Sequence, residues 1–234
     1  MNLVICFSPT GGTKKIADYA ANYLNFQLLD LTAFKDHKDF NFQQEFDYLV
    51  LCFPVYSQNI PKPVKEIIKK LKAKCYILIA TYGRMHMGNV LWEANKHLQG
   101  RLIGGAYIPT KHTYQEGDYF KDYQKLNSLL SRAIKKETKQ IVIPKLKKNP
   151  FADFFPNGRS RYAIKIKKNA NCNKCNHCNR VCPQEAINFG TITKDCIRCL
   201  SCYYNCPNKA LEVKYSIFLK AYLKKDKIKD LIIY

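Results

Sequence analysis

The chain has 234 residues, 47% of them hydrophobic, which is enough to bury a core in one medium domain plus a small one and excludes wholesale disorder. Lys and Arg number 39 against 18 Asp and Glu, a formal net charge of +21, spread as −2 over residues 1–60, +13 over 61–150 and +10 over 151–234. That field suits an acidic partner, nucleic acid or an anionic membrane surface and is silent on fold. The chain enters an apolar run at Asn2 without a basic lead, and no apolar run approaches the roughly 18 residues of a membrane span. A soluble, intracellular, cytoplasmic protein is expected.

Taken in order, the first 110 residues alternate strand-like and helical patterns. Strands are expected at Leu3–Phe7, Phe26–Leu29, Tyr48–Phe53, Tyr76–Thr81 and Leu102–Ile108. Helices are expected at Thr13–Leu24, Pro63–Leu71, Asn89–Leu98 and Tyr119–Lys136. Apolar central strands alternating with amphipathic helices predict an α/β fold, a doubly wound parallel five-stranded sheet covered on both faces, over residues 1–139. Residues 140–161 carry turn chemistry and read as a linker. Residues 162–213 form a cysteine-rich module of small α+β type, and residues 214–234 a basic tail mixing lysines with Ile217, Phe218, Leu219 and Leu223.

Eleven cysteines in a reducing compartment point to metal or redox duty rather than a disulfide framework. Cys6, Cys52 and Cys75 stand singly in apolar runs and read as small core residues. The other eight form a repeat with a period of 24 residues: Cys172-x2-Cys175-x2-Cys178-x3-Cys182-Pro183 and Cys196-x2-Cys199-x2-Cys202-x3-Cys206-Pro207. Zinc sites pair C-x2-C units with four ligands per metal and poorly explain two triplets, each with a remote fourth cysteine and a proline.

This spacing resembles that of bacterial two-cluster ferredoxins over the whole module. Three cysteines two residues apart wrap one face of a cubane, and the fourth, on the next helical turn, reaches the other cluster. One [4Fe–4S] cluster is thus expected on Cys172, Cys175, Cys178 and Cys206, and a second on Cys196, Cys199, Cys202 and Cys182.

The first strand runs into Ser8-Pro9-Thr10-Gly11-Gly12-Thr13 and then a helix. Hydroxyls and glycines at a helix N-terminus make an anion site, because free amides and the helix dipole converge there. Neither the Walker A spacing nor G-x-G-x-x-G is present. The loop resembles the flavodoxin phosphate loop that binds FMN, with Ser8, Thr10, Gly11, Gly12 and Thr13 in contact with the phosphate. The resemblance extends to two loops at the carboxyl ends of later strands. Pro54, Val55, Tyr56, Ser57 and Asn59 belong to the first, and Thr81, Tyr82 and Gly83 to the second. It implies that these hold the isoalloxazine ring, with Tyr56 and Tyr82 as stacking candidates. Trp92 reads as helix packing, while Lys111 and His112 are candidates to line a pocket.

Together the two halves resemble the flavodoxin–ferredoxin fusions of anaerobic microbes, sometimes grouped as EFR1-type ferredoxins. The resemblance implies an electron-transfer iron–sulfur flavoprotein with two [4Fe–4S] clusters and FMN, passing low-potential electrons to a partner protein. The basic surface departs from the acidic carriers of both families and fits docking of an acidic redox protein, a ferredoxin-like donor or acceptor. A flavin-dependent reductase of a small molecule, fed by the cysteine module, is the alternative. Nucleic-acid or membrane-surface binding is the third reading, without a recognition motif, and a tail packed across the domain junction explains the tail better.

Overall fold

The computed structural model describes residues 1–149, 151–154, 156–225 and 227–234. The first half runs β1 (Asn2–Cys6), α1 (Gly12–Leu24), β2 (Gln27–Asp30), α2 (Phe34–Asp39), β3 (Glu45–Pro54), α3 (Lys62–Lys70), β4 (Lys72–Tyr82), α4 (Val90–Asn95), β5 (Gln99–Pro109) and α5 (Asn127–Ile134). The strands pair in parallel in the order β5-β4-β3-β1-β2. This is the flavodoxin-like doubly wound order, whose switch point lies between β1 and β3.

The strands read as unbroken apolar runs because both faces are covered. Along β1 and the residue after it, Leu3, Ile5 and Phe7 face one core while Val4 and Cys6 face the other. The second core takes the inward stripe of α1, namely Ile16, Ala17, Ala20 and Leu24, at the i, i+3/i+4 spacing of an amphipathic helix. Cys6, Cys52 and Cys75 are buried in that same core, where desolvation pushes each thiol above its ordinary range and keeps it neutral.

Three elements differ from the sequence expectation. The helix expected from Tyr119 begins only at Asn127, after a 3-10 turn at Tyr123–Leu126. Residues before it are held out of the helix, with the Phe120 amide donating to Thr110 Oγ1 (3.4 Å). The short helix α2 was not foreseen. Most consequential is a sixth strand at the C-terminal end of the chain, so the sheet is six-stranded rather than five-stranded.

That strand belongs to the second half, which runs α6 (Phe151–Phe154), α7 (Pro156–Ala163), β6 (Ile164–Lys168), α8 (His177–Arg180), β7 (Ile187–Asn188), β8 (Thr191–Ile192), α9 (Ser201–Tyr204), β9 (Leu211–Tyr215), α10 (Ile217–Leu223) and β10 (Ile232–Ile233). β6 and β9 form an antiparallel ribbon, and β7 and β8 a short hairpin. The segment expected as a linker lies on the sheet domain: Ile141 N donates to Leu102 O (2.8 Å), and Ile143 is 3% exposed. The segment expected as a basic tail leaves the cysteine module through α10 and crosses back. Ile228 N donates to Arg84 O (2.8 Å), the Tyr82 hydroxyl donates to Asp230 O (2.6 Å), and β10 pairs antiparallel with β5 at Tyr107 and Ala106. An edge strand offers unpaired amides and carbonyls, and the tail supplies their partners. No described helix is long and apolar enough to cross a membrane.

Candidate functional site

The cysteine module carries its sequence repeat into the backbone. Residues in the left-handed region fall in pairs 24 positions apart: Lys174 (φ 59) with Arg198 (φ 58), Asn176 (φ 56) with Leu200 (φ 63), and Glu185 (φ 47) with Lys209 (φ 46). α8 and α9 stand at the same offset. Left-handed residues flanking Cys175 and Cys199 make each loop a nest, a curl of backbone suited to enclosing an anionic group. The last cysteine of each motif is also held alike: Ala186 N donates to Cys182 Sγ and Ala210 N to Cys206 Sγ, both at 3.2 Å.

The two motifs exchange their final cysteines. Cys172, Cys175 and Cys178 line one small cavity together with Cys206 from the second motif. Cys182 from the first motif packs with Cys196 and Cys202, and burial together with the neighbouring Cys182, Cys202 and Cys196 pushes the Cys199 thiol well above its ordinary range. Cys202 is pushed to about 12, chiefly by burial. The buried thiols of Cys182, Cys199 and Cys202 therefore stay protonated unless a metal group deprotonates them. Among the described residues no three His, Cys, Asp or Glu side chains are grouped to hold a single metal ion. A buried Arg198 Nη1 has no protein partner beside the inner set, a positive group free to face a negative one.

The two sets differ in exposure. Cys182, Cys196, Cys199 and Cys202 are 6–9% exposed, whereas Cys175 lies open and Cys172, Cys178 and Cys206 are half-buried. The inner set is covered by the sheet domain: Phe34 N donates to Cys182 O (3.2 Å), and the Tyr114 hydroxyl donates to Arg198 O (2.8 Å).

At the carboxyl ends of β1, β2 and β5 lies a cavity of about 420 Å³. Ser8, Pro9, Thr10, Gly11 and Lys14 from the β1–α1 loop form its floor, Asp30, Thr32 and Asp36 one side, and Lys111, His112 and Tyr119 another. Val181, Ser201, Tyr204 and Asn205 of the cysteine module form the last wall. The Tyr204 hydroxyl donates to Thr113 O (2.8 Å), pinning that wall.

The loop turns sharply into the helix. Gly11 adopts φ 80, a left-handed turn that side chains resist, and opens α1. Ser8 Oγ accepts from Lys14 N (2.9 Å). Of the expected phosphate residues, Ser8, Thr10 and Gly11 line the cavity. Gly12 lies beneath the Tyr119 ring, where an added Cβ would meet Cε1 at 3.3 Å. The Thr13 hydroxyl turns inward instead, bonded to the Thr81 hydroxyl (2.7 Å) in a buried pair that ties the loop to β4.

The expected ring loops lie behind the cavity. Pro54, Val55 and Ser57 do not line it, and Asn59 Nδ2 donates to Ala152 O (2.9 Å), joining that loop to the following segment. Tyr56 and Asn59 close a tight turn by exchanging both backbone hydrogen bonds. The Tyr56 hydroxyl is pushed well above its ordinary range by burial, with smaller contributions from Cys199 and Tyr114. Tyr82 is 1% exposed, packed in the core and bonded to the tail, and offers no ring face for stacking. Gly83 lies under His112, whose ring would clash with an added Cβ. Burial and the neighbouring Lys227 hold the His112 pKa down at about 4, so it is neutral, and Nδ1 accepts from Tyr114 N (3.1 Å).

Tyr114, Tyr119 and the module's wall residues escaped the sequence reading. Tyr114 and Tyr119 lie in what was read as loop and helix, and only docking of the second domain gives them a site. The floor of the cavity fits the phosphate end of a nucleotide cofactor.

No family model matches the chain, and no curated protein matches it. Solved structures with similarity to its N-terminal part include an archaeal flavodoxin, at 16% identity, 58% of this chain, 98% of that one and a TM-score of 0.42. A Bacteroides eggerthii protein assigned as a flavoprotein has 15% identity, 56% and 95% coverage, and a TM-score of 0.40. A short-chain flavodoxin associated with a bacterial microcompartment has 15%, 57%, 95% and 0.39. At these scores the chain's own strand order, rather than the neighbours, defines its flavodoxin-like fold.

Proposed function

We propose that this chain is an electron-transfer iron–sulfur flavoprotein. Cys172, Cys175, Cys178 and Cys206 hold an outer [4Fe–4S] cluster, and Cys182, Cys196, Cys199 and Cys202 an inner one. Ser8, Thr10 and Gly11, with the cation of Lys14, hold the phosphate of FMN. Bound FMN takes up electrons one or two at a time, which couples one-electron clusters to an acceptor needing either. The chain's own residues supply placement: Tyr114 ties the sheet domain to the second cysteine loop at Arg198, and His112 is held neutral at ordinary pH.

The observation that carries this reading is the shared wall. Residues of the cysteine module enclose the anion cavity of the sheet domain, and the inner cysteines lie just behind them. Tethered, buried sites in contact exchange electrons without a diffusional encounter. The outer set, open to solvent, is then the port for a partner protein.

The test is an anaerobic visible spectrum with iron, sulfide and flavin analysis on one sample, before and after reduction. Roughly eight irons and one FMN per chain are expected, with reduced clusters re-oxidised by the flavin. Eight irons without flavin, after FMN is added, would overturn the assignment of the cavity.

A further inference from the structure

The burial asymmetry between the two cysteine sets has a chemical consequence at the surface. From Arg161 to Arg180 the chain carries six basic residues and no acidic one. Three side chains flank the outer set closely. Lys174 lies between Cys172 and Cys175, Lys168 stands against Gly190 beside Cys172, and Lys209 follows Cys206 and the cavity residue Asn208. All three are exposed, and among the described residues none of them forms an ion pair. Arg180 has a different task, donating through Nη1 to Cys175 O (3.2 Å) and bracing the loop. Beside these cations the ring of Phe189 is 44% exposed, on the rim of the outer cavity.

We propose that Lys168, Lys174, Lys209 and the Phe189 ring form the docking surface for an acidic redox protein that exchanges electrons with the outer cysteine set. The proposal rests on the cluster assignment above and adds to it the side chains that seat the partner. An unpaired cationic ring around an apolar contact is the arrangement that steers and then seats an anionic protein surface. Redox chemistry selects the occupant. At the centre of the patch stands the exposed Cys175, and a nucleic acid or a lipid headgroup has no electron to exchange there. A cluster held by Cys172, Cys175, Cys178 and Cys206 would take up one electron per encounter as the partner's redox centre gave up one, with no bond or proton changed. The inner set is sealed by Phe34 and Tyr114, so this face is where a carrier reaches the relay directly.

The experiment measures binding of the anaerobically reconstituted full chain to an acidic bacterial two-cluster ferredoxin, at low and at raised salt. The variant pair Lys168→Glu and Lys174→Glu is compared with Lys135→Glu and Lys139→Glu, exposed positions beyond α5 that change net charge equally. The first pair is expected to weaken binding at least tenfold at low salt and to flatten its salt dependence, the second to change it less than about twofold. Phe189→Ala is expected to shorten the complex's lifetime while leaving association rates intact. Equal losses in both pairs would show a diffuse field without a docking site and overturn the proposal. So would losses confined to random duplex DNA or anionic vesicles. Iron and flavin analysis on the same samples separates the two readings. A chain carrying its clusters that does not bind overturns the docking surface alone; a chain that takes up no iron overturns the cluster assignment and the docking with it.

Discussion

The hydroxyl pair of Thr13 and Thr81 offers a sharp energetic test of how the anion loop is held. The two residues are 3% and 2% exposed, and their oxygens lie 2.7 Å apart. Threonine to valine keeps the shape and removes the hydroxyl. Either single change, Thr13→Val or Thr81→Val, strands the opposite hydroxyl without its partner, at a cost of about 1–3 kcal/mol. In a chain of this size each kcal/mol lowers Tm by about 2–4 °C. The double variant removes donor and acceptor together and is expected to lie within about 1 kcal/mol of the parent, more stable than either single variant. Urea and thermal unfolding followed by circular dichroism, on matched cofactor-free samples, measure the cycle. Because the pair fixes the loop against β4, FMN affinity is expected to fall in the single variants. Additive losses in the double variant, or singles indistinguishable from the parent, would refute the pair as a buried, mutually dependent contact.

Three further outcomes follow from the same geometry. His112 titrates at about 4 in the folded chain against an ordinary value of 6.5; the unfolded state binds the extra proton, so stability falls as pH drops from about 6.5 to 4, by up to about 3 kcal/mol, and His112→Asn is expected to remove that part of the slope in pH-dependent urea unfolding. Cys206→Ser is expected to cost the outer cluster, reducing iron from roughly eight to roughly four per chain, with cluster-to-flavin electron transfer at the inner set retained in single-turnover reduction; loss from the second triplet instead would contradict the crossed ligation. Ending the chain at Lys229 removes the acceptor of the Tyr82 hydroxyl and the antiparallel pairing of β10 with β5. Hydrogen exchange is expected to quicken along Tyr107 and Ala106, with a stability loss on the order of 2–4 kcal/mol from several broken hydrogen bonds.

The local chemistry was legible without coordinates. The continuous apolar runs of β1, β3 and β4 announce strands buried on both faces, because alternation is lost when neither face meets water. The 24-residue repeat marks two like cysteine motifs, and it is their resemblance to two-cluster ferredoxins that implies the crossed sets. Gly11 marks the turn into α1 because few other residues adopt φ 80 readily.

What the tertiary structure alone decided is where these parts meet. Thr13 looked like a phosphate ligand and is instead a core tie, because its direction depends on β4, a partner 68 residues away. Tyr82 looked like a stacking ring, yet Asp230, 148 residues on, draws its hydroxyl into the core. Tyr114 and Tyr204 carry no motif; they become wall and bridge only once the cysteine module lies over the sheet. The tail's closing residues, Ile232 and Ile233, make too short a run to read as a strand, and they become one because β5 presents a free edge to them. Sequence records the preferences of neighbours along the chain. The direction of a side chain, and the exposure that separates the outer cysteines from the inner, belong to contacts made across it.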